Sequence, residues 1–172
     1  MNDYSNFIHE APYMLAENNC KHLIQYFENN KQLCKENYIE INETSIDDPH
    51  IYEIINEIYN VFDNQFKIYF SKLSEFYNIH HNKFGTSQIR IEKQSKGQQV
   101  GDKHELTPTS LVYLFFLNNI DNGGDMCFFN DKTIKAETGK LILFPKEWFL
   151  TFKEHIPISD DKYILYGELL YM

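Results

Sequence analysis

The stretch GKLILFPKEWFLTFKEHIPISDDKYILYGEL, Gly139 to Leu169, reads as a strand, a Pro-marked corner, a second strand, a polar loop and a third strand, with an ionisable residue near each bend. Metal ligation is the chemistry such a layout could serve, and His155 is the imidazole available for it. The plainer reading of His155 is a solvated loop residue. His80 and His81 follow a long helical pattern, where a protonated imidazole favours the C-terminal dipole; a metal role for the pair is the lesser reading. Gly123 and Gly124 ask for unusual backbone angles in a turn; a phosphate cradle would need a helix after them, and none is predicted. Cys20, Cys34 and Cys127 share no metal-type spacing, which excludes zinc-finger chemistry. An odd number of cysteines leaves one unpaired under any disulfide scheme and favours a reducing compartment. No Ser, His and Asp set or activated Cys stands out, so hydrolysis has no positive signal.

The elements that must position these residues change character once along the chain. In ENNCKHLIQYFENN the apolar residues Cys20, Leu23, Ile24 and Phe27 recur at helical spacing. A short strand is expected at Ile39 to Ile41. Asp47 or Asp48 then caps, and Pro49 opens, a long amphipathic helix carrying Ile51, Ile55, Ile58, Phe62, Tyr69, Leu73 and Phe76 on one face. From Gly85 the period falls toward two and Gly, Asn and Pro turns recur, as in SQIRIEKQSKG, SLVYLFFLNN and KYILYGELLYM. The expectation is α+β: an antiparallel double-stranded β-helix, or jelly roll, with N-terminal helices packed on one sheet. Residues 1–172 are read as one domain, with 1–84 a helical support region and 85–172 the jelly-roll core.

Composition narrows the partners. The chain has 172 residues, 42% of them hydrophobic and 16% aromatic, enough apolar side chain for a core of its own. A net charge of −9 opposes a nucleic-acid role, since phosphate binding needs clustered Lys and Arg, and RIEKQSKG is short and broken by Glu92. LVYLFFL and LILF fall far short of the roughly 20 residues that span a bilayer, and MNDYSNFIHEAP lacks a basic start followed by an apolar stretch. A cytoplasmic chain that is neither membrane-bound nor secreted is expected, with a protein partner or a second copy the plausible associate. The surplus of Asn, Ile and Lys hints at an AT-rich genome such as a phage's, so a virion or a host cytoplasm would both suit it.

SLVYLFFLNNIDNGGDMCFFND, IKAETGKLILFPKEW and PISDDKYILYGEL, in this order, resemble the 2-oxoglutarate/Fe(II) oxygenase superfamily, in particular its prolyl-hydroxylase-like branch. The resemblance covers nearly the whole chain. It implies an iron site built from a His-x-Asp or His-x-Glu pair and one later His, with open positions for 2-oxoglutarate and oxygen. It also implies a basic residue ten places after the late His, gripping the cosubstrate carboxylate. Lys162 takes that place, although a strand-edge surface lysine is the bland alternative. Ten residues before it stands Phe152 instead of His.

The early pair is broken as well. One register puts Lys103 at the His position and Glu105 at the acid position; the other recovers His104 but sets Leu106 where the acid belongs. Adjacent residues on a strand face opposite sides, so His104 and Glu105 could both point inward only through a bulge. Gln94 falls where many relatives have a Tyr that contacts 2-oxoglutarate. Trp148 and Phe149 are expected to pack beneath the barrel mouth. These positions imply an oxygenase fold with a degenerate metal motif: a non-catalytic binding or structural module, such as a virion component or host-factor binder, with no cofactor expected. The alternative is an active dioxygenase hydroxylating a peptide or small molecule, with Fe(II) on His104, Glu105 and His155 and 2-oxoglutarate on Lys162.

Overall fold

A computed structural model of the chain describes residues 7–41, 46–73, 84–86, 89–99, 110–128, 132–145 and 152–171. Helix α1, Glu17–Asn29, buries Cys20, Leu23 and Phe27, the face its spacing predicts. Helix α2, Pro49–Leu73, starts where Asp48 accepts the backbone N–H of His50 at 2.9 Å and of Ile51 at 3.4 Å, so Asp48 is the cap. It buries Ile51, Ile55, Ile58, Phe62, Phe66 and Tyr69 along one side. Phe76, expected on the same stripe, and His80 and His81 beyond it lie outside the described residues.

The strands are β1 His9–Ala11, β2 Tyr38–Ile41, β3 Phe84–Thr86, β4 Ile89–Gln94, β5 Ser110–Phe116, β6 Met126–Phe128, β7 Lys132–Ile134, β8 Leu141–Pro145, β9 Phe152–Glu154 and β10 Lys162–Tyr171. Among the described residues seven of them form a large sheet in the order β1-β8-β5-β10-β4-β2, with β3 also on β10. The other three form a small sheet in the order β7-β6-β9. The pairings are antiparallel, for example Phe116 opposite Ile164 and Gln94 opposite Lys162. Strands β1 and β2 come from the N-terminal region and extend both edges of the sheet that the later strands build.

Alternation along each strand sorts the side chains into two layers. Leu111, Tyr113 and Phe115 of β5, Leu141 and Leu143 of β8, and Tyr163, Leu165 and Leu169 of β10 pack with the helices. Val112, Leu114 and Phe116, Ile142 and Phe144, and Ile164 face the other way and join Met126, Phe128 and Ile134 of the small sheet. The result is three layers: helices, large sheet and small sheet, with the space between the sheets forming the barrel interior. Gly167 on β10 lies opposite Tyr113, and a Cβ there would come within 2.2 Å of the Tyr113 ring, so only glycine admits that ring against the strand. Gly123 and Gly124 have φ of 73° and 70°, the turn geometry expected of them, and Gly124 donates its N–H to the Ile156 carbonyl. No helix among the described residues is long and apolar enough to cross a membrane.

Candidate functional site

The site lies in the barrel interior, where the start of β10 meets the end of β4 and the short strand β9. Sequence alternation on IRIEKQ reads as an apolar face and a polar face, and the structure turns the polar face inward: Glu92 and Gln94 are 3% and 5% exposed. Lys162, opposite Gln94 on β10, is 1% exposed, which rules out the strand-edge surface lysine. A buried ammonium requires a counter-charge. It finds one in Glu154, whose Oε2 lies 2.8 Å from Lys162 Nζ. The Phe116 ring lies 5.5 Å from the same nitrogen.

Glu154 gets there because β9 pairs with β6 in the small sheet, with Phe152 opposite Phe128 and Glu154 opposite Met126. Residues two apart on a strand share a face, so Phe152 and Glu154 point to the same side. Phe152 packs between Phe128 and Phe144, with ring centroids at 5.6 and 5.2 Å. Lys153, between them, is exposed. The space left beside Lys162, bounded by Glu92, Gln94, Glu154 and Ile164, has a volume of about 10 Å³. That is room for about one water molecule. Gln94 donates through Nε2 to the Gln98 carbonyl at 3.1 Å, while its buried Oε1 has no hydrogen-bond partner among the described residues.

Further along the same face, Arg90 pairs with Glu92 and stacks over Tyr166, 4.2 Å from its ring centre. Burial, reinforced by the hydrogen bond to Glu168, pushes the Tyr166 hydroxyl far above its usual range. On the helix side, Lys93 ties the site's framework together through Glu28 at 3.2 Å and Asp161 at 2.8 Å, and Tyr163 donates to Glu28 at 2.7 Å. Burial raises the Glu28 pKa, but hydrogen bonds from Lys31, Tyr163 and Lys93 outweigh it and bring the carboxyl down to about 2. This cluster clamps α1 to β4 and to the start of β10, which fixes the root of Lys162.

The structure brings together two of the residues singled out from the sequence, Gln94 and Lys162, while Phe152 packs with Phe128 and Phe144 on the strand that carries Glu154 to Lys162. His155 is not among them; its side chain is exposed and its backbone N–H donates to the Asp125 carbonyl at 2.8 Å. Lys103, His104, Glu105, Trp148 and Phe149 lie outside the described residues. Among the described residues, no three His, Cys, Asp or Glu side chains gather closely enough to share a metal ion. Sequence reasoning missed Glu154, Arg90, Glu92 and Tyr166. The alternating ionisable residues of IRIEK were the available signal, but alternation does not say which face looks inward.

These residues do not fit an iron ion with 2-oxoglutarate as they stand. Phe152 offers no donor atom and its ring is packed among two others, and Lys162 already holds a carboxylate with about one water's space to spare.

No protein-family model matches the sequence, and no curated protein does. Solved structures do match. A viral collagen prolyl hydroxylase from Paramecium bursaria Chlorella virus-1, in its 2OG complex, aligns over 96% of this chain and 96% of its own at 15% identity and a TM-score of 0.69. A prolyl hydroxylase from Trichoplax adhaerens, in complex with a hypoxia inducible factor peptide fragment, aligns over 97% and 84% at 14% identity and 0.67. A Pseudomonas putida prolyl-4-hydroxylase aligns over 96% and 93% at 10% identity and 0.66. At such identities the likeness is one of fold: this chain has the jelly-roll fold of the prolyl-hydroxylase-like 2-oxoglutarate/Fe(II) oxygenases.

Proposed function

We propose that this protein is a non-catalytic member of the oxygenase fold, serving as a binding or structural module. The observation that carries the reading is Phe152. It stands ten residues before Lys162, where the resemblance puts the late iron ligand, and its ring is packed against Phe128 and Phe144. A His there would supply a nitrogen to the metal; a phenyl ring supplies none and fills the volume the ion would need. Lys103 or Leu106, depending on register, removes a second ligand, and iron held by the remaining side chain would bind weakly. In this role the associate is a protein or a second copy of the chain, in keeping with the net charge of −9 that disfavours nucleic acid. A phage or viral setting, as virion component or host-factor binder, belongs to the same proposal.

The competing reading is an active dioxygenase with Fe(II) and 2-oxoglutarate, and the fold of the viral and bacterial hydroxylases is what favours it. Incubation with Fe(II), 2-oxoglutarate and oxygen, with succinate followed by NMR, separates the two. The expected outcome is succinate at the level of a protein-free control. Succinate formation that disappears in Lys162→Met would overturn the non-catalytic reading.

A further inference from the structure

The buried lysine and its partner carry a second conclusion, which rests on the non-catalytic reading and deepens it. We infer that Glu154 is a built-in carboxylate that occupies the anion site of the barrel, so that the site is closed from within and opens to small carboxylates only when that side chain is removed. Lys162 is 1% exposed and projects from β10 into the space between the sheets. An ammonium so placed must be paired, because burying it alone is far costlier than burying it with an anion. In an oxygenase of this fold the resemblance assigns that anion to a dissociable cosubstrate. Here it comes from the chain: the Glu154 carboxylate lies 2.8 Å from Nζ and belongs to a side chain only 13% exposed.

The geometry of β9 supports a permanent occupant. Phe152, two residues earlier on the same face, is anchored between Phe128 and Phe144, and the β6 pairing holds the strand in register. Glu154 therefore hangs from a fixed strand rather than from a loop. The space remaining beside the pair is about 10 Å³, so an external carboxylate cannot reach Lys162 without displacing the internal one. Gln94, whose buried Oε1 has no hydrogen-bond partner among the described residues, faces the same space. A water there, or a carboxyl in its protonated form, could donate to that oxygen.

Substituting Glu154 by Ala deletes a CH₂–COO⁻ group, for which acetate is the closest free equivalent. The test compares thermal unfolding of the full chain in sodium acetate, sodium 2-oxoglutarate and sodium chloride at matched ionic strength. Expected is a lower Tm for Glu154→Ala in chloride, recovered by about 3–6 °C at an acetate or 2-oxoglutarate concentration ten times its Kd. Wild type and the double variant Glu154→Ala with Lys162→Met should show no carboxylate-specific gain. A folded Glu154→Ala protein indifferent to both carboxylates would overturn the inference, as would a wild type stabilised as much as the variant.

Should Glu154→Ala fail to fold, Glu154→Gln decides. It keeps the volume and removes the charge, so it should unfold at a lower temperature than wild type; an unchanged Tm would show that Lys162 does not need the Glu154 charge and would overturn the inference. None of these readouts involves iron. Iron uptake by wild type would sink the non-catalytic reading by itself, whereas carboxylate indifference of the variant sinks only the internal ligand.

Discussion

Phe152 and Lys162 occupy equivalent-looking places in the sequence, each a single residue flanking the same loop, yet the barrel treats them oppositely. Phe152 completes an aromatic cluster, and its cost of removal is one of packing. Phe152→Ala should cost about 2–3 kcal/mol, less than the roughly 3–5 of a fully buried Phe because its edge keeps some exposure. Urea denaturation monitored by far-UV circular dichroism measures this; a loss below about 0.5 kcal/mol would show that the ring is not held in the cluster. Lys162, in contrast, is held by charge. Its partner was not legible in the sequence, since EHIPISDD reads as an exposed loop. That reading suits His155, Ile156 and Ile158, which are exposed, but Glu154 at its start is drawn inward by the pairing of β9 with β6.

At the scale of elements, helical spacing on α1 and α2 and alternation on β4, β5 and β10 were readable because each period reports a face buried against a neighbour. Strand β1 was not readable. His9, Glu10 and Ala11 are too few to show a period, and they form a strand only through the distant partners Leu143, Ile142 and Leu141. The attachment of β1 to α2 is expected to depend on pH. His9 Nε2 lies 2.9 Å from Gln65 Oε1, and burial, with Lys72 nearby, holds its pKa below the ordinary 6.5, against the opposing effects of Gln65 and Glu10. A histidine with a depressed folded pKa takes up a proton more readily when unfolded. Its contribution is therefore full above about pH 6.5 and declines as the pH falls through the folded value. Stability measured by denaturant from pH 7.5 to 5 should fall, and His9→Gln should flatten that part of the curve. An equal slope in the variant would remove His9 as the cause. Glu28, with its carboxyl brought down to about 2, acts in a separate window: its contribution is lost as the pH drops from about 4.5 toward 2.

For the molecule as a whole, the fold was legible because motif order and strand spacing carry it, and the likeness to prolyl hydroxylases at 10–15% identity and TM-scores of 0.66–0.69 shows the same fold in three dimensions. Function was less legible, because it depends on which side chains face the barrel and what fills the space between them. Residues such as Glu154 acquire meaning only there. The non-catalytic reading is tested by anaerobic titration of metal-free wild-type protein with Fe(II) and then 2-oxoglutarate, watching for the visible charge-transfer band of an iron–2-oxoglutarate complex. The expected result is no band and an unshifted melting curve at micromolar iron. A band that saturates at one iron per chain would contradict that reading and show that another side chain supplies the ligand that Phe152 cannot.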